Sequence, residues 1–375
     1  MTYKTYLVML VISAVGSWAL TPLAIRLAIR WGAVDQPGGR KVHLLPMPRL
    51  GGLAVFLGFF LPWIGLYFIH NPVSERFRNF ETLFGGLVIG ATSMLLLGIY
   101  DDIKGANALT KFSIQILVSV VLFFFGYSID EVQNPWGGMM IVPVWVSLPV
   151  TVLWLVGVTN AINLLDGIDG LVSGVTAVLA TSLAVINVLS NEIVPALLTI
   201  CLAGACLGFL LWNHAPARIF LGDSGSLTIG MVLACISVIT LFDSGSKKAS
   251  PLLSVPFILF SLPVVDTFRV MLTRIAKGGS PFKADKNHVH HHLLALGMNH
   301  RQAAWTLYVV AAGTGAFAVA LSRMPMDRQL TLSVFFAAVA GAALMFWHAG
   351  SGPEEELSPR SSIPAPDKNE PNSKS

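Results

Sequence analysis

Residues Asn160 to Gly170 read Asn-Ala-Ile-Asn-Leu-Leu-Asp-Gly-Ile-Asp-Gly, which sets two amides, two carboxylates and two glycines directly after the apolar run Val144 to Thr159. In a chain that is only 12% charged, Asp166 and Asp169 demand a reason. A plain Asx turn is one. A site is the other, because carboxylates on oxygen-rich loops suit a hard cation such as Mg²⁺ or Mn²⁺, whose remaining ligands are phosphates and water.

Four more segments carry comparable chemistry. Asp35 to Gly52 contains Arg40, Lys41 and Arg49, which also suit simple positive anchors at a membrane face. Asp101-Asp102-Ile103-Lys104-Gly105 places two acids side by side, as a solvated helix end would. Asn213 to Gly230 includes Phe220-Leu221-Gly222-Asp223-Ser224-Gly225-Ser226, which reads equally as a turn with a helix cap. Lys283 to Arg301 includes Asp285-Lys286-Asn287-His288-Val289-His290-His291-His292. Four histidines in five residues are hard to explain as packing. They could hold zinc, but no thiolate assists, and beside Lys283, Lys286 and Arg301 they also suit phosphate oxygens.

The elements that must position these groups are membrane helices. The chain has 375 residues, is 54% hydrophobic and has a mean hydropathy of +0.70. Soluble domains are roughly a quarter charged, and several apolar runs here reach the roughly 20 residues that cross a bilayer as a helix. The expected fold class is all-α, a polytopic integral membrane protein with about eleven transmembrane helices. The expected spans are 5–26, 51–69, 83–99, 112–127, 144–160, 171–190, 194–213, 225–242, 252–272, 304–321 and 329–347. Residues 1–349 form the membrane domain. Residues 350–375, rich in Pro, Ser, Glu and Lys, are expected to form a disordered cytoplasmic tail. Most of the 24 Lys and Arg fall on one side, which puts the N-terminus outside and the C-terminus in the cytoplasm. The first apolar run is span-length and is followed by others, so it reads as an uncleaved helix. Cys201, Cys206 and Cys235 lie in apolar runs with no metal-ligand spacing and read as core residues. The basic pI of 9.0 calls for no nucleic-acid partner.

Alternation of the spans puts all five polar segments on the inner face. Together they describe a divalent cation, a pyrophosphate-like ligand held by glycines and helix N-termini, and a membrane surface. That combination points to phosphoryl transfer to or from a lipid.

These residues resemble the polyprenyl-phosphate N-acetylhexosamine-1-phosphate transferases over roughly residues 15–305. Asp101-Asp102 is similar to the family's acidic pair. Asn160, Asn163, Asp166 and Asp169 fit its Asn-x-x-Asn-x-x-Asp-Gly-x-Asp-Gly segment. Asn213, Phe220, Gly222, Asp223 and Ser226 fit its Asn…Phe-x-Gly-Asp-x-Gly-Ser segment, and His288 with His290 to His292 its His-x-His-His segment. The resemblance implies transfer of a sugar-1-phosphate from a UDP-sugar to undecaprenyl phosphate with Mg²⁺ (or Mn²⁺), releasing UMP. It implies Asp223 as metal ligand with Asp102 as a second candidate. It makes Asp101 or Asp102 the group that deprotonates or orients the acceptor, or that forms a covalent phospho-enzyme. Asn160, Asn163, Asp166 and Asp169 orient the nucleotide. His290, His291, His292, Lys41 and Arg301 hold phosphate or sugar, with Asn213, Phe220 and His288 also at the substrate. The loop from Ser280 to Ala303 is similar to the UDP-GlcNAc branch, whose products start O-antigen, common-antigen or teichoic-acid-linkage lipids; another UDP-N-acetylhexosamine or UDP-MurNAc-pentapeptide is the alternative. The implied setting is a bacterial inner membrane with the site on its cytoplasmic face, and a homodimer is compatible with it.

A cation-coupled transporter is the reading from another class, but its acids would sit at the midplane. An Asp-Asp-x-x-Asp prenyl-diphosphate site fails at Gly105. A CDP-alcohol phosphotransferase motif fails because Leu-Val-Ser-Gly follows Gly170.

Overall fold

The computed structural model describes residues 3–36, 46–68, 72–134, 139–241, 254–276, 278 and 288–350. Lys41, Lys283, Asp285, Lys286, Asn287 and the tail after Gly350 lie outside them. The elements in order are α1 (Tyr3–Trp31), β1 (Val34–Asp35), β2 (Met47–Pro48), α2 (Gly51–Phe68), α3 (Pro72–Arg78), α4 (Glu81–Lys104), α5 (Ala108–Phe124), β3 (Glu131–Gln133), β4 (Met139–Ile141), α6 (Val144–Leu164), α7 (Leu171–Ser190), α8 (Ile193–Asn213), α9 (Gly222–Leu241), α10 (Ser254–Leu259), α11 (Ser261–Ala276), α12 (Val289–Ala295), α13 (His300–Leu321) and α14 (Met326–Gly350). The four strands make two antiparallel pairs, β1 with β2 and β3 with β4. Met1–Leu330 is one compact unit and Thr331–Ser375 a second.

Seven helices among the described residues are long and apolar enough to cross a membrane: α1, α4, α6, α7, α8, α9 and α13. Gly51–Leu66 and Ala108–Phe124 are shorter apolar helices. The chain is an all-α, multi-pass membrane protein. The hub is α9, 94% buried over its most apolar stretch against 33% for α1. It packs against α4, α6 and α2, while α8 packs against α1 and α7. Small residues allow these approaches, as packing between membrane helices requires. A Cβ on Gly208 would lie 2.0 Å from the Ala14 carbonyl oxygen, and one on Gly230 would lie 2.8 Å from Thr159 Cα.

Helices α4, α6 and α9 run past the expected spans 83–99, 144–160 and 225–242, and each extension carries site residues. The last turn of α4 includes Asp101 and Asp102, and the last turn of α6 includes Asn163. Helix α9 starts at Gly222, so Asp223 is in its first turn. Hydropathy ends a span where the polar residues begin, but the backbone hydrogen bonds continue through them. The expected span 252–272 is divided between α10 and α11. Pro263 has no N–H to give the Leu259 carbonyl, so the ladder is interrupted there. Residues 252 and 253 lie outside the described ones.

Caps sharpen the turns around the site. The Asn107 side chain accepts the Thr110 amide at 2.7 Å to start α5. Asn299 and Gln302 form a reciprocal capping box at the start of α13.

Candidate active site

The start of α9 is built by three other segments. Gly222 takes φ +71°, and a Cβ there would strike the Arg49 carbonyl oxygen at 1.9 Å. The amides of Asp223 and Ser224, orphaned by their place in the first turn, both donate to Asp102, one to each carboxylate oxygen at 3.0 Å. Arg49 Nε lies 3.6 Å from the same carboxylate, whose side chain has no exposed surface. The 46–52 segment then zips onto the 219–222 loop. Phe220 N–H donates to Pro48, Gly51 N–H to Phe220 and Gly52 N–H to Leu221, at 2.8, 3.1 and 3.0 Å.

Above this base, Lys111 joins the acids. Its Nζ donates to Asp223 Oδ2 at 2.6 Å and to Asp101 Oδ2 at 3.2 Å. Asp101 Oδ1 accepts the Ala106 amide. Asn163 Nδ2 donates to Asp223 Oδ1 at 3.2 Å and to Ser226 Oγ at 2.8 Å. Asn160 gives both N–H groups away, to Gln115 Oε1 and the Val156 carbonyl, so its side chain can only accept from a ligand.

The opposite wall is the turn between α6 and α7. Asp169 Oδ2 accepts the Ala217 amide at 3.0 Å. Asp166 is exposed in this turn. Gly167 meets His290 directly: a Cβ on Gly167 would lie 2.0 Å from its Nε2. His290 is 1% exposed, and burial followed by the charges of His291 and His288 pulls it down to about 3, so its ring is neutral in use. It stacks on His288 with an interplanar angle of 3° and packs against His291 at 4.3 Å. His291 and His292 are half-buried. Gly167→Ala should therefore push the His290 ring away from the turn. Overpacking of this kind costs about 1–3 kcal/mol, and transfer activity should fall by roughly tenfold or more; full activity in a membrane assay would show the contact to be idle.

Several expected site residues have a bracing place. Asn213 is buried; its Oδ1 accepts Ser173 Oγ at 2.8 Å and its Nδ2 donates to Ile219 O at 3.0 Å, which pins the 214–219 loop. Asp102, expected as an alternative metal ligand, has both oxygens committed to amides and holds α9 in place. His288 and His290 are packed inside, not presented to solvent. Arg301 Nε donates to the Ala215 carbonyl and the residue is otherwise exposed. Phe220 sits half-buried on the loop that Pro48 pairs with. Lys111 and Gln115 were not among the expected site residues. The available signal was their one-turn spacing on α5 opposite two acidic segments.

The donor set suits a hard cation. Asp101 and Asp223 converge on one ammonium group, a place where two carboxylates already share a positive charge. Among the described residues no three His, Cys, Asp or Glu side chains form a ready-made cage. An ion held by one or two carboxylates needs substrate phosphates and water to complete its shell.

A membrane bundle with this cluster at one end suits phosphoryl transfer at a membrane surface. The chain belongs to the polyprenyl-phosphate N-acetylhexosamine-1-phosphate transferase family. The model of glycosyl transferase family 4 matches residues 84–241. The chain is 35% identical over 291 residues to a probable undecaprenyl-phosphate N-acetylglucosaminyl 1-phosphate transferase of Bacillus subtilis, covering 78% of each chain. It is 35% identical over 342 residues to a decaprenyl-phosphate N-acetylglucosaminephosphotransferase of Mycobacterium tuberculosis, covering 85% of this chain and 83% of that one. A phospho-N-acetylmuramoyl-pentapeptide-transferase of Heliobacterium modesticaldum is 31% identical over 335 residues, covering 83% and 94%.

Proposed function

We propose that the protein transfers N-acetylglucosamine-1-phosphate from UDP-GlcNAc to undecaprenyl phosphate in a bacterial inner membrane, starting a lipid-linked surface glycan. The observation that carries this reading is the lysine-bridged pair Asp101–Lys111–Asp223, built at the ends of α4, α5 and α9 beside the half-buried Asn163. It is an anionic cradle for a cation and a diphosphate at a membrane edge. The two N-acetylglucosamine relatives named above favour that sugar over the muramoyl-pentapeptide.

In the reaction, an oxygen of the acceptor phosphate attacks the β-phosphorus of the UDP-sugar. The new P–O bond forms as the bond to the UMP oxygen breaks, giving the lipid-diphosphate-sugar and UMP. A phosphate monoester has its second pKa at about 6, so the acceptor needs no strong base to become a nucleophile. Mg²⁺ (or Mn²⁺) on Asp223, with Asp101 adjacent, would supply charge neutralisation of the diphosphate when bound. We place the cation on Asp223, whose side chain keeps exposed surface, and not on Asp102, whose side chain has none. Lys111, within reach of both acids, would bind a phosphate oxygen of the substrate. The amide oxygens of Asn160 and Asn163 accept from the nucleotide, and Asp166 and Asp169 shape the turn beside it.

Eleven spans with the N-terminus outside belong to this reading. Eleven spans would take the seven long helices, the two shorter ones, the α10–α11 pair and α14 together. The site would then face the cytoplasm, where UDP-sugars are made.

The test is transfer from a panel of radiolabelled UDP-sugars to undecaprenyl phosphate by purified protein. UDP-GlcNAc with Mg²⁺ should label lipid and release UMP in equal amounts, and excess EDTA should abolish both. Labelling by UDP-MurNAc-pentapeptide alone would move the protein to the other branch, and full activity in EDTA would remove the cation from the mechanism.

A further inference from the structure

Asp266 is a lone acid in α11, buried at 7% exposure, in a helix whose other described site connections are few. Each of its oxygens is engaged. Oδ1 accepts the Val289 amide at 2.9 Å and faces the Arg269 guanidinium at 3.4 Å. Oδ2 is 2.8 Å from His288 Nδ1. A carboxylate so placed can only accept, so Nδ1 carries the ring proton. The contact crosses from α11 to the first residue of the histidine segment, and that residue is itself 5% exposed. From there the order is continuous: Asp266 holds His288, the His288 ring lies parallel to His290, and the His290 ring abuts Gly167 beside Asp166. The seven residues of α12 make a helix too short to hold its own register. Asp266 supplies both an acceptor for its first amide and an anchor for its leading side chain.

We propose that Asp266 is a positioning residue for sugar-phosphate transfer: it fixes His288 in the Nδ1–H form and, through the His288–His290 stack, seats the histidine helix against the Gly167 turn. This rests on the transfer reaction inferred above. The same carboxylate–imidazole logic governs orientation in hydrolase triads and metal sites, where exchanging the carboxylate for an amide inverts the tautomer without removing the contact.

Asp266→Asn is the informative variant. It keeps the size and the oxygen that takes the Val289 amide, but offers an N–H to His288 Nδ1 and so moves the ring proton to Nε2. Purified Asp266→Asn should keep the wild-type melting temperature within a few degrees and bind UDP-GlcNAc with a similar KM, while kcat falls at least tenfold. His288→Asn, which leaves an amide N–H where Nδ1 was, should lose as much, and the double variant should be no worse than His288→Asn alone. Asp266→Asn turnover within twofold of wild type, or losses that multiply in the double variant, would overturn the proposal. Ring-nitrogen NMR of histidine-labelled protein gives a readout independent of substrate. The resonance removed by His288→Asn should be an Nδ1–H form in wild type and an Nε2–H form in Asp266→Asn. An Nε2–H form in wild type would sink the dyad even in a fully active enzyme, whereas the expected NMR result in a protein inert to every UDP-sugar would leave the dyad standing and remove the transfer reaction.

Discussion

Asp223→Ala is expected to insert in the membrane and fold, and to release no measurable UMP from UDP-GlcNAc. The fold should survive because the Asp102 carboxylate is held by the backbone amides of residues 223 and 224, and alanine keeps both. The chemistry should not survive because the lost carboxylate is the one that Lys111 and Asn163 both address. Charge stabilisation by a bound cation is worth several kcal/mol, and each 1.36 kcal/mol is tenfold, so the loss should reach about a thousandfold or more. Turnover near the wild-type rate would move the cation elsewhere. Asp223→Asn separates charge from shape, since it preserves the side-chain volume and should fail almost as completely.

The second large effect should come from a residue with no functional group. Gly98 lies one turn before Asp102 on α4, and a Cβ there would stand 2.3 Å from both the N and Cα of Ser224. These are backbone atoms, so no rotamer change can make room. Gly98→Ala must therefore pry α4 from the start of α9 and lengthen the two hydrogen bonds from Asp102. A shift of about 1 Å at a reacting group can cost on the order of a hundredfold, and transfer should fall by that much in Gly98→Ala. The melting temperature should fall as well. Ser224→Ala leaves the backbone contact unchanged and should be far milder. Equal activity of Gly98→Ala and wild type would show that α4 and α9 have slack between them.

The membrane helices were legible because hydropathy is a property of each run alone, and the shared face of the polar segments followed from alternation. That convergence is realised in contacts such as Arg49 with Asp102, Asp102 with Asp223, and Gly167 with His290. The roles were less legible than the membership. Asp102 looks like a ligand in sequence, and only the fold shows that two amides from 121 and 122 positions away occupy it. Asn213 looks like a substrate contact, and its amide is spent on its own loop. Lys111, Gln115 and Asp266 each stand as single polar residues in or beside apolar runs, with partners set by packing across the bundle. A one-dimensional pattern records their presence but not the side chain they meet. The break between α10 and α11 has a local cause, Pro263, which hydropathy averages away.

The glycine contacts at the start of α9 have a consequence for how such a protein can diversify. The acids are mounted on main chain pressed against main chain: Gly98 on Ser224, and Gly52 on Gly225. The histidine helix is instead held through side chains, by Asp266 on His288 and on the Val289 amide and by the His290 ring on Gly167. A main-chain mounting has almost no sequence alternatives, whereas a side-chain suspension can be retuned one substitution at a time. The mounting of the acids is thus fixed in sequence, while the seat of the histidine helix stays open to adjustment.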